Sequence, residues 1–195
     1  MIKEQTLQQE LTAAKKKSAK PMLWVSMISM VMFFAGLTSA YVISMNRDDW
    51  VSFNFPDAFF ISTILIVASS IALFLSQKCL KQNKRQASLV LVVVTLLLGI
   101  GFIWQQYVGF KELEAAGLYF TGPKSVVSAS FLIIITFMHV LHLLAGLIVL
   151  LVVIYNHFKY KYKSDDMLGF ELGAIFWHFV DILWIYLFFF FYFIR

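Results

Sequence analysis

The chain has 195 residues, 61% of them hydrophobic and 14% charged, against roughly 45–50% and 25% in a soluble domain. That excess excludes an ordinary water-soluble domain, and the length leaves room for one helical bundle without a sizeable extramembrane domain. The net charge is +5, but the basic residues stand in short clusters between apolar runs, a pattern that fits lipid headgroups and not nucleic acid.

Residues 1–21 are polar and carry Lys3, Lys15, Lys16, Lys17 and Lys20. They are predicted to form a basic tail, either a short interfacial helix or a solvated segment. Five apolar stretches follow, near 22–45, 57–77, 87–108, 125–155 and 168–193. Each is long enough to cross about 30 Å of hydrocarbon at about 20 residues per helix. The predicted fold is therefore all-α: a polytopic membrane protein built as a bundle of five transmembrane helices. The first stretch outruns the core of a signal peptide, about 7–15 residues, and is predicted to be retained as a span. Pro56 and Pro123 each stand just before a span, where a missing N–H costs little. Cys79, the only cysteine, lies in the basic loop after the second span and excludes an internal disulfide or a multi-cysteine metal site. Gly36, Gly99, Gly101 and Gly146 are predicted to mark close helix approaches.

Orientation follows from the loops. Lys3, Lys15, Lys16, Lys17, Lys20, Lys78, Lys81, Lys84, Arg85, Lys159, Lys161 and Lys163 all fall on one side of a five-span chain. Arg47, Lys111, Lys124 and Arg195 fall on the other. The positive-inside rule then places the N-terminus in the cytoplasm and the C-terminus outside.

Ionisable residues at membrane depth are costly, so each one is a functional candidate. His139 and His142 lie near the middle of the fourth span, three residues apart on one helix face. His178 and Asp181 stand in the same relation near the middle of the fifth. The two spans run antiparallel, so all four side chains are predicted to share one level of the bilayer. An ionised Asp there is penalised by about 2.5–3.5 kcal/mol even on the lenient insertion scale. Three readings fit. Imidazole and carboxylate satisfy each other and lock the two helices together. Alternatively the pair relays protons, or the set binds a transition metal. The supply of ligands favours the first, because a di-iron site in a helical bundle uses about four carboxylates and two His. Direct hydrogen bonds from His178 or Asp181 to His139 or His142, or to a polar group beside them, are expected.

The residues then become more specific. Trp177, His178, Phe179, Val180, Asp181 and Trp184 compose a W-H-F-V-D-x-x-W block. It resembles the signature in the last helix of haem-copper oxidase (cytochrome c oxidase) subunit III. The run Thr136–Gly146, with His139, His142 and Gly146, is similar to that family's H-x-x-H-x-x-x-G helix. The stretch Val31–Gly36 followed by Ala40 and Tyr41 resembles its V-M-F-F-A-G…A-Y segment. Ser69 and Ser70, and the loop ending Lys84, Arg85, Gln86 and Ala87, stand where the family has matching residues. One position departs: the family usually carries an intramembrane Glu where this chain has Met30.

The resemblance implies a bacterial cytochrome c oxidase subunit of the five-helix kind, in the inner membrane, within aerobic electron transport. It implies no catalytic, metal or cofactor residue in this chain, with haem and copper in subunits I and II. It further implies contact with subunits I and II, bound phospholipid, and support of proton uptake during oxygen reduction. Alternatives are subunit III of a quinol oxidase, a small transporter, and an oxidase assembly factor. The absence of an inverted repeat and of matched broken helices counts against the transporter.

Overall fold

Apolar side chains on all sides let a helix stand in lipid only if its backbone is satisfied within the segment. The sequence answers that demand five times. A computed structural model describes residues 2–48, 50, 56–118, 126–160, 162 and 167–194. It contains α1 (Ile2–Ser44), α2 (Asp57–Lys81), α3 (Arg85–Ala115), α4 (Val127–Phe158) and α5 (Leu168–Phe193), with no strand among the described residues. All five are long and apolar enough to cross a membrane.

The N-terminal segment is helical and continuous with the first span: α1 runs unbroken through Pro21 for 43 residues, about 65 Å at 1.5 Å per residue. Its membrane-compatible part begins at Lys16. Pro21 is tolerated because it is exposed and lies at the polar end of that part, where water replaces the lost bond. The second and third spans also run on past the apolar core, to Lys81 and Ala115. Pro56 caps α2 as expected, and the Phe59 N–H donates to its carbonyl at 3.2 Å. Pro123 lies outside the described residues.

Two helix ends close in the same way. Asn83 and Gly117 have φ of 59° and 82°. The N–H of the next residue reaches back to the carbonyl five earlier: Lys84 to Cys79 at 2.9 Å and Leu118 to Leu113 at 3.0 Å. A left-handed residue followed by that bond satisfies the last carbonyls of a helix.

Packing follows a seven-residue repeat. On α2 the buried positions include Phe59, Ile66, Leu73 and Leu80, interleaved with Ser62, Ser69 and Ser76. On α3 they are Ser88, Thr95, Phe102 and Gly109, interleaved with Val92, Gly99, Gln106 and Leu113. This is the seam of a left-handed coiled coil, and its small residues let two membrane helices approach closely. Polar groups cross it at three levels. Gln106 Nε2 donates to Ser62 Oγ at 3.0 Å, Thr95 Oγ1 to the Ser69 carbonyl at 3.4 Å, and Ser76 Oγ to the Ser88 carbonyl at 2.8 Å. Each such bond in a membrane contributes about 0.6 kcal/mol.

The α2–α3 pair leans on α5, which also touches α1 and α4; among the described residues α1 touches only α4 and α5. α5 is thus the central helix: 56% of its apolar window is buried, against 22% for α1. α1 and α5 run parallel. Lys20 pairs with Glu171 at 2.9 Å near one end, and Thr38 and Tyr186 share a hydroxyl contact of 3.2 Å further along. The basic end of α3 is tied to α4 by a reciprocal clasp. The Arg85 guanidinium donates to the His157 carbonyl, and His157 Nε2–H donates to the Arg85 carbonyl at 3.2 Å.

Candidate functional site

Asp181 is 13 residues into α5 and His139 is 12 into α4, depths of about 20 and 18 Å. The His139 ring stands 5.2 Å from that of Trp184, one turn from Asp181, so the two helices meet near the predicted level. The predicted partnership does not form. Helix rotation decides it: His178 and the indoles of Trp177 and Trp184 turn toward α2, while His139 and His142 meet aromatic rings and their own helix.

Three bonds join α5 to α2. Trp177 Nε1–H donates to Ser69 Oγ at 3.1 Å, Trp184 Nε1–H donates to Thr63 Oγ1 at 3.0 Å, and His178 Nδ1 meets Ser70 Oγ at 2.6 Å. Between the last two levels lies Asp181, 1% exposed. Neither of its oxygens forms a hydrogen bond with a described group.

His139 is fully buried, and neither ring nitrogen has a hydrogen-bond partner among the described residues. Its neighbours are the rings of Trp184 at 5.2 Å, Phe102 at 6.0 Å and Phe34 at 6.4 Å between centroids. An imidazole N–H against π faces gains a weak, second-order attraction. His142 Nδ1–H donates to the Met138 carbonyl at 2.7 Å on its own helix, and its ring rests 5.5 Å from Phe34. The expected bond between the helix-four and helix-five pairs is thus replaced by α2 hydroxyls on one side and an aromatic cage on the other. Among the described residues no three His, Cys, Asp or Glu side chains gather as metal ligands.

The rest of the W-H-F-V-D-x-x-W block divides between the core and a groove. Trp177, Val180 and Trp184 are in the core. Phe179 lines an apolar groove of about 340 Å³ between α1 and α5, with Val31, Phe34, Ala35, Ile182 and Tyr186. Met30, at the departing position, packs half-buried against the core. Two of the four singled-out glycines, Gly99 and Gly146, face the Trp177 ring, whereas a Cβ on Gly36 would meet nothing within 4 Å and one on Gly101 only an ordinary contact. A close approach missed in the sequence is Gly109, which faces the Phe59 ring. The α2 hydroxyls were also missed as partners of α5. The seven-residue spacing of Thr63 and Ser70, beside Ser69, is the signal that marks a polar stripe facing α5.

The family model described as Cytochrome c oxidase subunit III matches residues 1–195. The chain is similar to cytochrome c oxidase subunit 3 of Felis catus and of Bos taurus, each 27% identical over 198 residues, covering 96% of this chain and 74% of the relative. It is 34% identical to that of Artemia franciscana over 127 residues, covering 65% of this chain and 47% of the relative. A chain with five membrane-crossing helices, matched from end to end by that family, belongs to the cytochrome c oxidase subunit III family, and so to a multi-subunit oxidoreductase complex.

Proposed function

We propose that this chain is the five-helix subunit III of a bacterial cytochrome c oxidase, a subunit without a redox centre of its own. It stabilises subunit I, contacts subunit II, binds phospholipid and supports proton uptake while oxygen is reduced elsewhere in the complex. It resides in the inner membrane with its N-terminus in the cytoplasm and its C-terminus outside, an orientation that the distribution of its basic residues supports. Haem and copper belong to subunits I and II.

One observation supports this reading: at the midplane His178 joins the indoles of Trp177 and Trp184 in bonding α5 to α2. His142 binds its own helix. The apolar groove beside Phe179 and Tyr186 gives a lipid acyl chain a place to lie. The replacement of the usual Glu by Met30 removes one carboxyl from the proton-carrying candidates of this subunit.

The test is purification of the tagged chain from its native membrane in mild detergent. Recovery of subunit I with haem and copper, and of subunit II with copper ligands, supports the proposal. A copper-free subunit II assigns the complex to quinol oxidation. Recovery without either subunit rejects the reading in favour of a transporter or an assembly factor.

A further inference from the structure

The clasp between α3 and α4 adjoins a pocket of about 200 Å³ at the basic end of the bundle, lined by Arg85, Gln86, Leu89, His157, Phe158 and Tyr160. Three features suit it to an anion. The first is Arg85, whose guanidinium donates to the His157 carbonyl and stands 3.9 Å from the centroid of the Tyr160 ring. A guanidinium carries five N–H donors, and no carboxylate among the described residues forms an ion pair with this one. The second is the start of α3 at Arg85, with no acidic residue in its first turn and no side chain capping its end. The first N–H groups of a helix lack partners within it and attract anions. The third is His157, which lines the same pocket and is 1% exposed. Its Nε2–H donates to the Arg85 carbonyl, and its Nδ1 has no hydrogen-bond partner among the described residues. Lys84 and Lys159, both exposed, flank the lining residues in the chain and add positive charge.

We propose that this pocket binds the phosphate of one anionic phospholipid of the phosphatidylglycerol class. The site rests on the lipid-binding part of the proposed function and gives it an address on α3 and α4, apart from the apolar groove between α1 and α5. The occupant is a lipid because the pocket opens at headgroup level. Phe158 and Tyr160 are exposed where α4 ends, and Leu89 stands one turn further into the third span. Aromatic side chains and basic pockets at that depth meet lipid headgroups. The lipid is anionic because a zwitterionic headgroup would bring its ammonium beside Arg85, and no lining residue is acidic to receive it. The phosphate oxygens accept from the Arg85 guanidinium and from the first N–H groups of α3. His157 is a positioning residue: its carbonyl holds the guanidinium and its imidazole holds the start of α3. The donors are fixed before the lipid arrives, so binding has little left to order.

The test adds phosphatidylglycerol, phosphatidylcholine or inorganic phosphate to delipidated complex purified through this chain, and native mass spectrometry reads the adducts on the chain as it leaves the complex. Phosphatidylglycerol is expected to bind the wild type, and its affinity should fall at least about tenfold in Arg85→Gln, the loss of a charged hydrogen bond. Gln86→Glu should lose as much while keeping the fold, because an acid in the first turn favours a helix and repels phosphate. This second variant is informative even where Arg85→Gln weakens the clasp. Lys81→Gln removes one charge from the same end of the bundle without lining the pocket, and its loss should be smaller. Phosphatidylglycerol bound as tightly by Gln86→Glu as by the wild type, or an equal loss in Lys81→Gln, overturns the pocket and leaves lipid binding intact. A wild type that takes up no phospholipid overturns the lipid-binding reading itself. Equal binding of phosphatidylcholine overturns the anionic preference, and displacement of phosphatidylglycerol by inorganic phosphate at the same concentration makes this a free-phosphate site instead.

Discussion

Trp177 and Gly99 fit as wedge and notch: a Cβ on Gly99 would stand 2.7 Å from Cη2 of the indole. The opposite edge of the same ring faces Gly146, where a Cβ would be 3.1 Å from Cε3. The indole N–H meanwhile donates to Ser69. One side chain from α5 thus engages α2, α3 and α4 at once.

Gly99→Ala is expected to destabilise the bundle by about 1–3 kcal/mol, the usual cost of overpacking. Gly109→Ala should behave alike, since its Cβ would be 2.5 Å from the Phe59 ring. Gly36→Ala is the control and should be neutral or slightly stabilising, because nothing lies within 4 Å and Ala favours a helix. Thermal unfolding in detergent, followed by circular dichroism, reads the three. Equal midpoints for Gly36→Ala and Gly99→Ala would contradict the wedge.

Trp177→Ala should cost about 3–5 kcal/mol, as large-to-small changes in packed cores do. Trp104→Ala should be close to neutral in the separated chain, since Trp104 is 66% exposed. The same unfolding measurement compares them, and a similar loss for both would show that Trp177 is not the centre of the packing.

The five spans and the depth of the four polar residues were legible in the sequence, because both depend only on hydropathy and a rise of about 1.5 Å per residue. Which neighbour each polar group meets was not. That depends on helix rotation, and a helix that is apolar all round gives no moment to fix it. The rotation is encoded instead in small residues. Ser62, Ser69 and Ser76 on α2, with Gly99 and Gly109 on α3, mark the faces that close. A chain read for apolar stripes hides that signal, because in lipid the buried face is the small and polar one. The unbroken α1 was obscured by its lysines and Pro21, which read as a boundary.

His139 lies among rings without a hydrogen-bond partner among the described residues. His139→Phe is therefore expected to cost less than about 1.5 kcal/mol, as a near-isosteric swap does. His139→Lys should cost at least about 2.5–3.5 kcal/mol from burying a charge at membrane depth. Recovery of the chain from detergent-solubilised membranes distinguishes them. Loss of the chain in His139→Phe would reveal a polar role for the imidazole.

The topology makes a further prediction. A membrane-impermeant thiol reagent added to intact cells should leave Cys79 unmodified. In a Cys79→Ser background it should modify Ala116→Cys, an exposed position after α3 at the opposite end of the bundle. The reverse labelling would invert the assigned orientation.

The central claim is that this chain organises an oxidase without holding its redox centres. Visible spectroscopy and elemental analysis of the purified complex, and then of the chain separated from it, address that claim directly. The predicted result is haem absorbance with iron and copper in the complex, and neither in the separated chain, which should remain helical. Stoichiometric iron or copper retained by the separated chain would contradict it.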